Sequence, residues 1–357
     1  MKKIKVLHIT EPFAAGVYNY VKEICGFFDS EKEFENYVIY SPNRNGTDFD
    51  KIAKDFSKKT TLIQLPMSRE INPGSDLRAI ASLVKQIRKI QPDVIHLHSS
   101  KASILGRVAS AFYRKAKVYY TPNGYSFLRE DVSNSKKRFF LFVEKWIAKI
   151  FGGTTIACGD TEYEHAKKIG RALLVRNGVS PNEISEFKKP HNNGKFTIGT
   201  MGRLSPQKNP GLFNKVALDF PDIEFVWIGD GQLKTELTSS NIHVTGWKIH
   251  SEAIALVNTF DVYIQTSLWE GLPFTIIEAM ALEKPIVATN VVGNKDAVEH
   301  GHNGFLCDNL EDFTVGIGEL YKNPEKLSSM GRNSESRCRS LFDQHKNFTT
   351  LKEIYLT

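Results

Sequence analysis

Thr197-Ile-Gly-Thr-Met-Gly202-Arg203-Leu-Ser-Pro-Gln-Lys208-Asn-Pro210 reads as a buried strand, a loop and the start of a helix. Apolar and β-branched residues run to Met201, Gly202 ends the run, and Asn209-Pro210 has the form of a helix cap and first turn. A strand that passes through a short loop straight into a helix is the repeating unit of a parallel sheet covered on both faces. The unit recurs downstream, with strands expected at Thr197–Met201, Glu224–Ile228, His243–Thr245, Val262–Gln265, Pro285–Ala288 and Phe305–Cys307. Upstream, Lys5–Thr10, Tyr37–Tyr40, Thr61–Leu65, Val94–Leu97, Val118–Tyr120 and Thr154–Ala157 keep the same rhythm, with amphipathic segments such as Asp76–Ile90 and Ala102–Tyr113 between them. The polar patch from Glu186 to Lys195 breaks the alternation and reads as a linker. The expected fold is therefore α/β, with two doubly wound, Rossmann-like domains, 1–187 and 188–340, facing each other across a cleft. Such sheets take ligands at the carboxyl ends of their strands.

Length agrees with two domains, because 357 residues exceed what one ordinary core of about 100–200 residues uses. Hydrophobic residues make up 41% and charged residues 24%, which excludes a disordered or collagen-like chain. No apolar run approaches the ~20 residues of a membrane span. The opening Met-Lys-Lys-Ile-Lys-Val-Leu-His-Ile has the order of a signal peptide, but its apolar part ends after about six residues and His8 interrupts it, so it reads as a first strand. Cys25, Cys158, Cys307 and Cys338 lie far apart, which fits a reducing compartment and neither a disulfide framework nor a zinc motif. Residues 1–190 carry 32 Lys+Arg against 20 Asp+Glu, whereas residues 191–357 carry 15 against 20. A basic half beside an acidic one suggests that one half faces a polyanion; nucleic acid, a membrane surface and plain solubility all stay open at this point.

Four stretches carry candidate chemistry. In Glu270-Gly-Leu-Pro-Phe-Thr-Ile-Ile-Glu278-Ala-Met-Ala, Glu270 sits in the loop after a strand and Glu278 lies a turn into the next helix. The backbone N–H groups of Gly271, Leu272 and Phe274, with Pro273 among them, suit oxygen acceptors on a sugar or phosphate. Spacing alone fits two solvated surface glutamates equally well. Arg203 and Lys208, between the end of a strand and a helix start, have the charge a diphosphate needs, or are two exposed loop cations. Glu11-Pro-Phe-Ala-Ala-Gly16-Val is a single-glycine turn that matches neither GxGxxG nor GxxxxGK[ST]. It serves either a phosphate or an ordinary strand-to-helix turn. In Asp93-Val-Ile-His96-Leu-His98-Ser-Ser the two histidines share a face, but no third ligand for a metal is evident in the sequence. Asp48-Phe-Asp50 matches a metal-holding DxD pattern but lies in a polar loop and is assigned to solvent. Ser135 to Phe151 mixes basic and bulky aromatic residues at helical spacing, as in a helix that packs on a domain or lies on an anionic membrane.

The ordered set resembles glycosyltransferase family 4, retaining enzymes with the GT-B fold. It rests on Gly-Arg203-Leu…Lys208-Asn, Glu270-Gly-Leu-Pro-Phe…Glu278-Ala-Met-Ala, Arg176-Asn-Gly178-Val, the Gly16 loop and His98. Thr121-Pro-Asn-Gly-Tyr-Ser-Phe and Ile156-Ala-Cys-Gly-Asp-Thr-Glu162 are similar to bacterial capsule, O-antigen and exopolysaccharide enzymes, many of which have His where this chain has Asn123. The resemblance implies that Arg203 and Lys208 hold a donor diphosphate, that Glu278 takes ribose hydroxyls, and that Glu270 with the backbone from Gly271 to Phe274 holds the transferred sugar. It implies that Gly202 belongs to the donor loop, that Gly16 lets backbone approach the diphosphate and acceptor, and that His98 meets the sugar beside the reacting carbon. It also implies that a last helix, 341–357, returns to the first domain.

The implied partners are a nucleotide-sugar (UDP-sugar first, GDP-sugar second) and a lipid-linked or glycan acceptor, with membrane contact through 135–151 and no nucleic acid. The implied place is the cytoplasm, peripheral at the inner membrane face, and neither a cofactor nor a metal is expected. A glycosidase would need carboxyl pairs about 5–5.5 or 6.5–9.5 Å apart, and here Glu278 is committed to ribose. A nucleotide-sugar epimerase would need further carboxylates and histidines in the cleft. A nucleic-acid-binding protein would leave the motifs of the second half without a purpose.

Overall fold

Both sheets of the computed structural model are parallel throughout their paired strands. The structure describes residues 3–42, 49–68, 70, 72–189 and 194–357. The first sheet comprises β1 (Ile4–Thr10), β2 (Phe34–Tyr40), β3 (Thr61–Gln64), β4 (Val94–His98), β5 (Lys117–Thr121), β6 (Thr154–Ala157) and β7 (Ala172–Leu174), ordered β3-β2-β1-β4-β5-β6-β7. The second comprises β8 (Thr197–Met201), β9 (Glu224–Ile228), β10 (Ile242–Val244), β11 (Val262–Gln265), β12 (Ile286–Thr289) and β13 (Gly304–Cys307), ordered β10-β9-β8-β11-β12-β13. Each order runs one way, returns to its first strand and runs the other way. The reversal falls between β1 and β4 in one sheet and between β8 and β11 in the other.

All twelve strands expected from the sequence form, and β7 is an addition. Three residues at a sheet edge give too short an apolar run to stand out, and β7 is held by its pairing with β6. β2 also begins earlier than its apolar run, at Phe34, where the amide nitrogen of buried Asn36 donates to the Cys25 carbonyl and to Asp29. The central strands are buried on both faces, as every residue of β4 and β11 shows. That explains why they read as continuous apolar runs instead of alternating ones.

The longer outer helices cover the sheets through one apolar stripe. Pro73–Ile90 is capped by the Asn72 side chain and buries Ala79, Leu83, Ile87 and Ile90 against Leu7, Ile9 and Ile95. Their spacing is one helical face. In the second sheet Phe213 of Pro210–Asp219 meets Phe225 and Trp227 edge-on, with ring centroids 5.6 and 5.0 Å apart.

The chain divides into two compact units, Met1–Leu128 with Ser133–Val175 and Phe348–Thr357, and Arg129–Val132 with Arg176–Asn347. Residues 176–187 and 341–347 thus belong with the second sheet. Asn177 ties the first segment to the Leu272 carbonyl, and the two segments hold each other: Val179 bridges Asp343, and a side chain at Gly178 would lie 2.5 Å from the Phe342 carbonyl. Phe348–Thr357 completes the first unit. Tyr355 stacks on Phe28 at 5.2 Å, the Tyr119 hydroxyl donates to the Ile354 carbonyl at 2.9 Å, and Lys352 pairs with Glu31. Tyr355→Ala should remove about 3–5 kcal/mol from this unit, read as a lower midpoint in urea or heat.

Candidate functional site

The loops after β8 and β11 part at the reversal of the second sheet, and their backbones are tied to each other. Thr266 donates its hydroxyl to the Lys208 carbonyl at 2.8 Å, and the Leu268 N–H reaches the Gln207 carbonyl at 2.8 Å. Asn209, in the left-handed region at φ 51°, accepts from the Leu212 N–H and starts the helix Pro210–Asp219 with Pro210 in its first turn. Two glycines fix the loops from outside. A side chain at Gly229 (φ 137°) would stand 2.2 Å from the Gly202 carbonyl, and one at Gly293 (φ 85°) would stand 2.2 Å from the Gly271 carbonyl. Gly229-Asp230-Gly231 is therefore a tight turn that braces the Arg203 loop.

This frame brings Lys208 and Glu270 together. The Lys208 ammonium lies 2.7 Å from one Glu270 oxygen, which also accepts from Gln265 at 3.1 Å, while the other accepts from Gln207 at 3.3 Å. Glu270 is buried, and a buried carboxylate persists when several donors replace its water. The pair is thus a fixed carboxylate with a cation whose two remaining N–H bonds are free in principle for another anion. Leu272, Pro273 and Phe274 lead into the helix Phe274–Ala281, whose first N–H groups lack intrahelical partners by geometry. Asn177 donates to the Leu272 carbonyl at 3.1 Å and so holds this approach. Glu278, buried on the same helix, accepts from His250 Nε2 at 2.8 Å. Arg203 stands 6.0 Å from the ring centre of Trp247, which is 63% exposed in a loop turned by Gly246. Gln207, Gln265, His250 and Trp247 had no recognisable spacing. Gln207 follows β8, Gln265 ends β11, and Trp247 and His250 both follow β10, so all but Gln265 reach their partners only across the sheet.

At the reversal of the first sheet, Gly16 is the second residue of the helix Ala15–Ser30, directly after the β1 loop. His98 ends β4 with no exposed surface, followed by Ser99 at φ 82°. The third histidine that the sequence did not reveal is His8. Parallel pairing sets His8 opposite His96 across β1 and β4, a neighbourhood invisible to spacing along one strand. His8 Nδ1 and His98 Nε2 lie 3.1 Å apart, and ligand atoms of all three imidazoles lie within 4.8 Å of one another. Both His96 nitrogens are engaged, by the Tyr355 hydroxyl at 2.6 Å and the Thr121 hydroxyl at 2.8 Å. Burial lowers the pKa of His8 to about 3 and holds His96 and His98 well below the usual imidazole range, so the cluster is neutral. Asn123, at φ 53°, precedes Gly124, whose N–H donates to one oxygen of buried Glu162; the other oxygen takes the Cys158 N–H. Asp48 lies outside the described residues, and Asp50 falls in the helix Phe49–Asp55.

Residues 14–183 match the family described as Glycosyltransferase Family 4, and residues 181–337 match that described as Glycosyl transferases group 1. The chain is 28% identical over 397 residues to the UDP-Gal:alpha-D-GlcNAc-diphosphoundecaprenol alpha-1,3-galactosyltransferase of Escherichia coli, covering 99% of this chain and 97% of that protein. It is 25% identical over 325 residues to the capsular polysaccharide biosynthesis glycosyltransferase CapM of Staphylococcus aureus, covering 82% and 84%. Among solved structures, the Anabaena protein HepE in complex with UDP and glucose matches with a TM-score of 0.78 at 20% identity over 98% of this chain and 99% of that one. Sucrose-phosphate synthase from Thermosynechococcus elongatus matches at 0.81 and 15% over 99% and 98%. Both show the two-domain GT-B architecture for this chain.

Gly229→Ala should shift the Gly202–Arg203 backbone and destabilise by roughly 1–3 kcal/mol, seen as a fall in thermal midpoint. Gly318→Ala, in open space within the helix Leu310–Lys322, should stabilise by about 0.5–1 kcal/mol in the same assay.

Proposed function

We propose, for a chain that belongs to glycosyltransferase family 4, that the strand ends of its second sheet hold a UDP-sugar. The sugar then passes, with retention at its anomeric carbon, to a lipid-linked glycan acceptor. The observation that carries this is the Lys208–Glu270 pair, clamped by Gln207 and Gln265 beside the start of the helix Phe274–Ala281. In this reading Arg203 and Lys208 take the diphosphate, Glu270 and the backbone from Gly271 to Phe274 take the sugar hydroxyls, and Glu278 takes the ribose. Gly202 and Gly16 let backbone approach the phosphates, and His98 meets a sugar hydroxyl. The preference for uridine is supported by the UDP-galactose donor named for the Escherichia coli relative, and the acceptor class by its diphosphoundecaprenol substrate.

The reaction needs the bond from the anomeric carbon to phosphate oxygen to break while an acceptor hydroxyl attacks from the same face. The hydroxyl proton passes to the departing phosphate oxygen, so the products are UDP and the glycoside. Charge grows on that phosphate, where two cations and a helix N-terminus already stand; positioning and electrostatics supply the catalysis. These groups serve where a metal otherwise would. Donor binding is accordingly expected to survive EDTA.

We extend the reading to the helix Asn134–Phe151. It packs Phe140 and Leu141 on the first core and buries Glu144 against Ser100 and Tyr120. Phe139, Phe142, Trp146 and Ile150 remain exposed as one stripe among exposed Lys136, Arg138, Lys145 and Lys149. An apolar stripe flanked by cations suits an anionic lipid surface. Among the described residues no helix is long and apolar enough to cross a membrane.

UDP at about 100 times its Kd should stabilise the protein by about 2.7 kcal/mol in a thermal-shift assay, with GDP and ADP giving little. EDTA should leave the shift intact, and Glu278→Ala should weaken UDP at least about tenfold for the lost ribose bonds. An unchanged UDP affinity in Glu278→Ala would remove the ribose assignment. Vesicles of phosphatidylglycerol should sediment the protein, phosphatidylcholine vesicles should not, and Phe142→Ser with Trp146→Ser should abolish the difference.

A further inference from the structure

The first sheet holds a group that the proposed reaction leaves unused: His8, a fully buried imidazole in β1 whose Nδ1 faces His98 Nε2 at 3.1 Å. The two rings lie 5.3 Å apart at 25°, which with this distance means an edge-to-edge hydrogen bond. His98 is otherwise held by ring packing, with Tyr20 edge-on at 5.7 Å and His96 at 4.3 Å. His96 cannot serve as its partner, because the Tyr355 and Thr121 hydroxyls engage both of its nitrogens. Two ring nitrogens are left over: His8 Nε2 and His98 Nδ1 are buried without a hydrogen-bond partner.

One proton lies between the facing nitrogens, and two arrangements are possible. If His98 Nε2–H donates to His8 Nδ1, the other His8 nitrogen carries an N–H that no group receives. If His8 Nδ1–H donates to His98 Nε2, His98 carries its own proton on Nδ1 and His8 keeps only a bare lone pair. A ligand oxygen at His98 Nδ1 then satisfies the single orphan donor. Buried N–H groups without acceptors are rarer than acceptors without donors. We propose that His8 is a positioning residue that fixes the tautomer of His98, so that His98 presents an N–H to an oxygen of the transferred sugar. This rests on the reading of His98 as a sugar contact. Neither ring carries exposed surface here, and the sugar contact requires that His98 Nδ1 be uncovered. The low basicity of both imidazoles keeps the arrangement neutral across the working pH range.

The test is long-range proton–nitrogen NMR on full-length protein labelled at histidine, with His98→Asn identifying the His98 signals, alongside steady-state kinetics of sugar transfer from UDP-sugar. Wild type saturated with UDP-sugar should show the proton on His98 Nδ1, because only a bound oxygen separates the two arrangements. His8→Leu should lose that single tautomer and lower kcat about tenfold, the size of one hydrogen bond made in the transition state, with KM for the donor changed less than about twofold. His8→Asn, whose amide reaches the place of Nδ1, should recover the tautomer and most of the rate. A proton on His98 Nε2 in saturated wild type would overturn the proposal, as would wild-type kcat in a folded His8→Leu. If His8→Leu does not fold, the wild-type spectrum and the His8→Asn rate decide. Wild-type turnover in His98→Asn would instead sink the sugar contact itself, whereas a slow His98→Asn beside a fast His8→Leu removes only the role of His8.

Discussion

A parallel sheet that grows from its first strand in both directions must send neighbouring loops to opposite faces at the point of reversal. The site proposed in this chain depends on that constraint. Between β8 and β11 it opens a gap in which one loop delivers Lys208 and the other delivers Glu270. Between β1 and β4 it does the same for the Gly16 turn and His98. Neither gap needs a dedicated insertion, because both follow from winding order alone.

The electrostatics of the two gaps differ in kind. In the second sheet the groups are charged and compensated: Glu270 has a cation and two amides, and Glu278 has an imidazole. On the proposed reading an arriving anion meets a preformed array, with Lys208 retaining donors beyond the one it gives to Glu270. In the first sheet the groups are neutral and buried, and three imidazoles are organised by hydroxyls and by each other.

Much of this was legible in the sequence, for reasons that can be named. Strands buried on both faces write themselves as apolar runs, so twelve of the thirteen among the described residues could be placed, and the motif containing Glu270 and Glu278 is contiguous. β7 escaped because three edge residues carry too little pattern. The partners of the key carboxylates escaped for a deeper reason. Gln265 lies five residues from Glu270 but acts through the end of β11, Gln207 and Lys208 reach it from another loop, and His250 reaches Glu278 from a third. His8 is the clearest case: its relation to His98 spans 90 positions and exists only through the register of β1 on β4. The divide between the compact units falls between Val175 and Arg176, ahead of the polar patch that draws the eye.

The return of Phe348–Thr357 to the first unit sets an order of events during synthesis. A ribosome making this chain produces β1 to β7, then the whole second unit, and only afterwards the segment carrying Tyr355. Until that segment emerges, Phe28 lacks its stacking partner and His96 lacks the phenol on its Nδ1. The unit whose sequence comes first is thus the one finished last. During translation it is the nascent first sheet, with an uncovered aromatic face, that stands to benefit from chaperones.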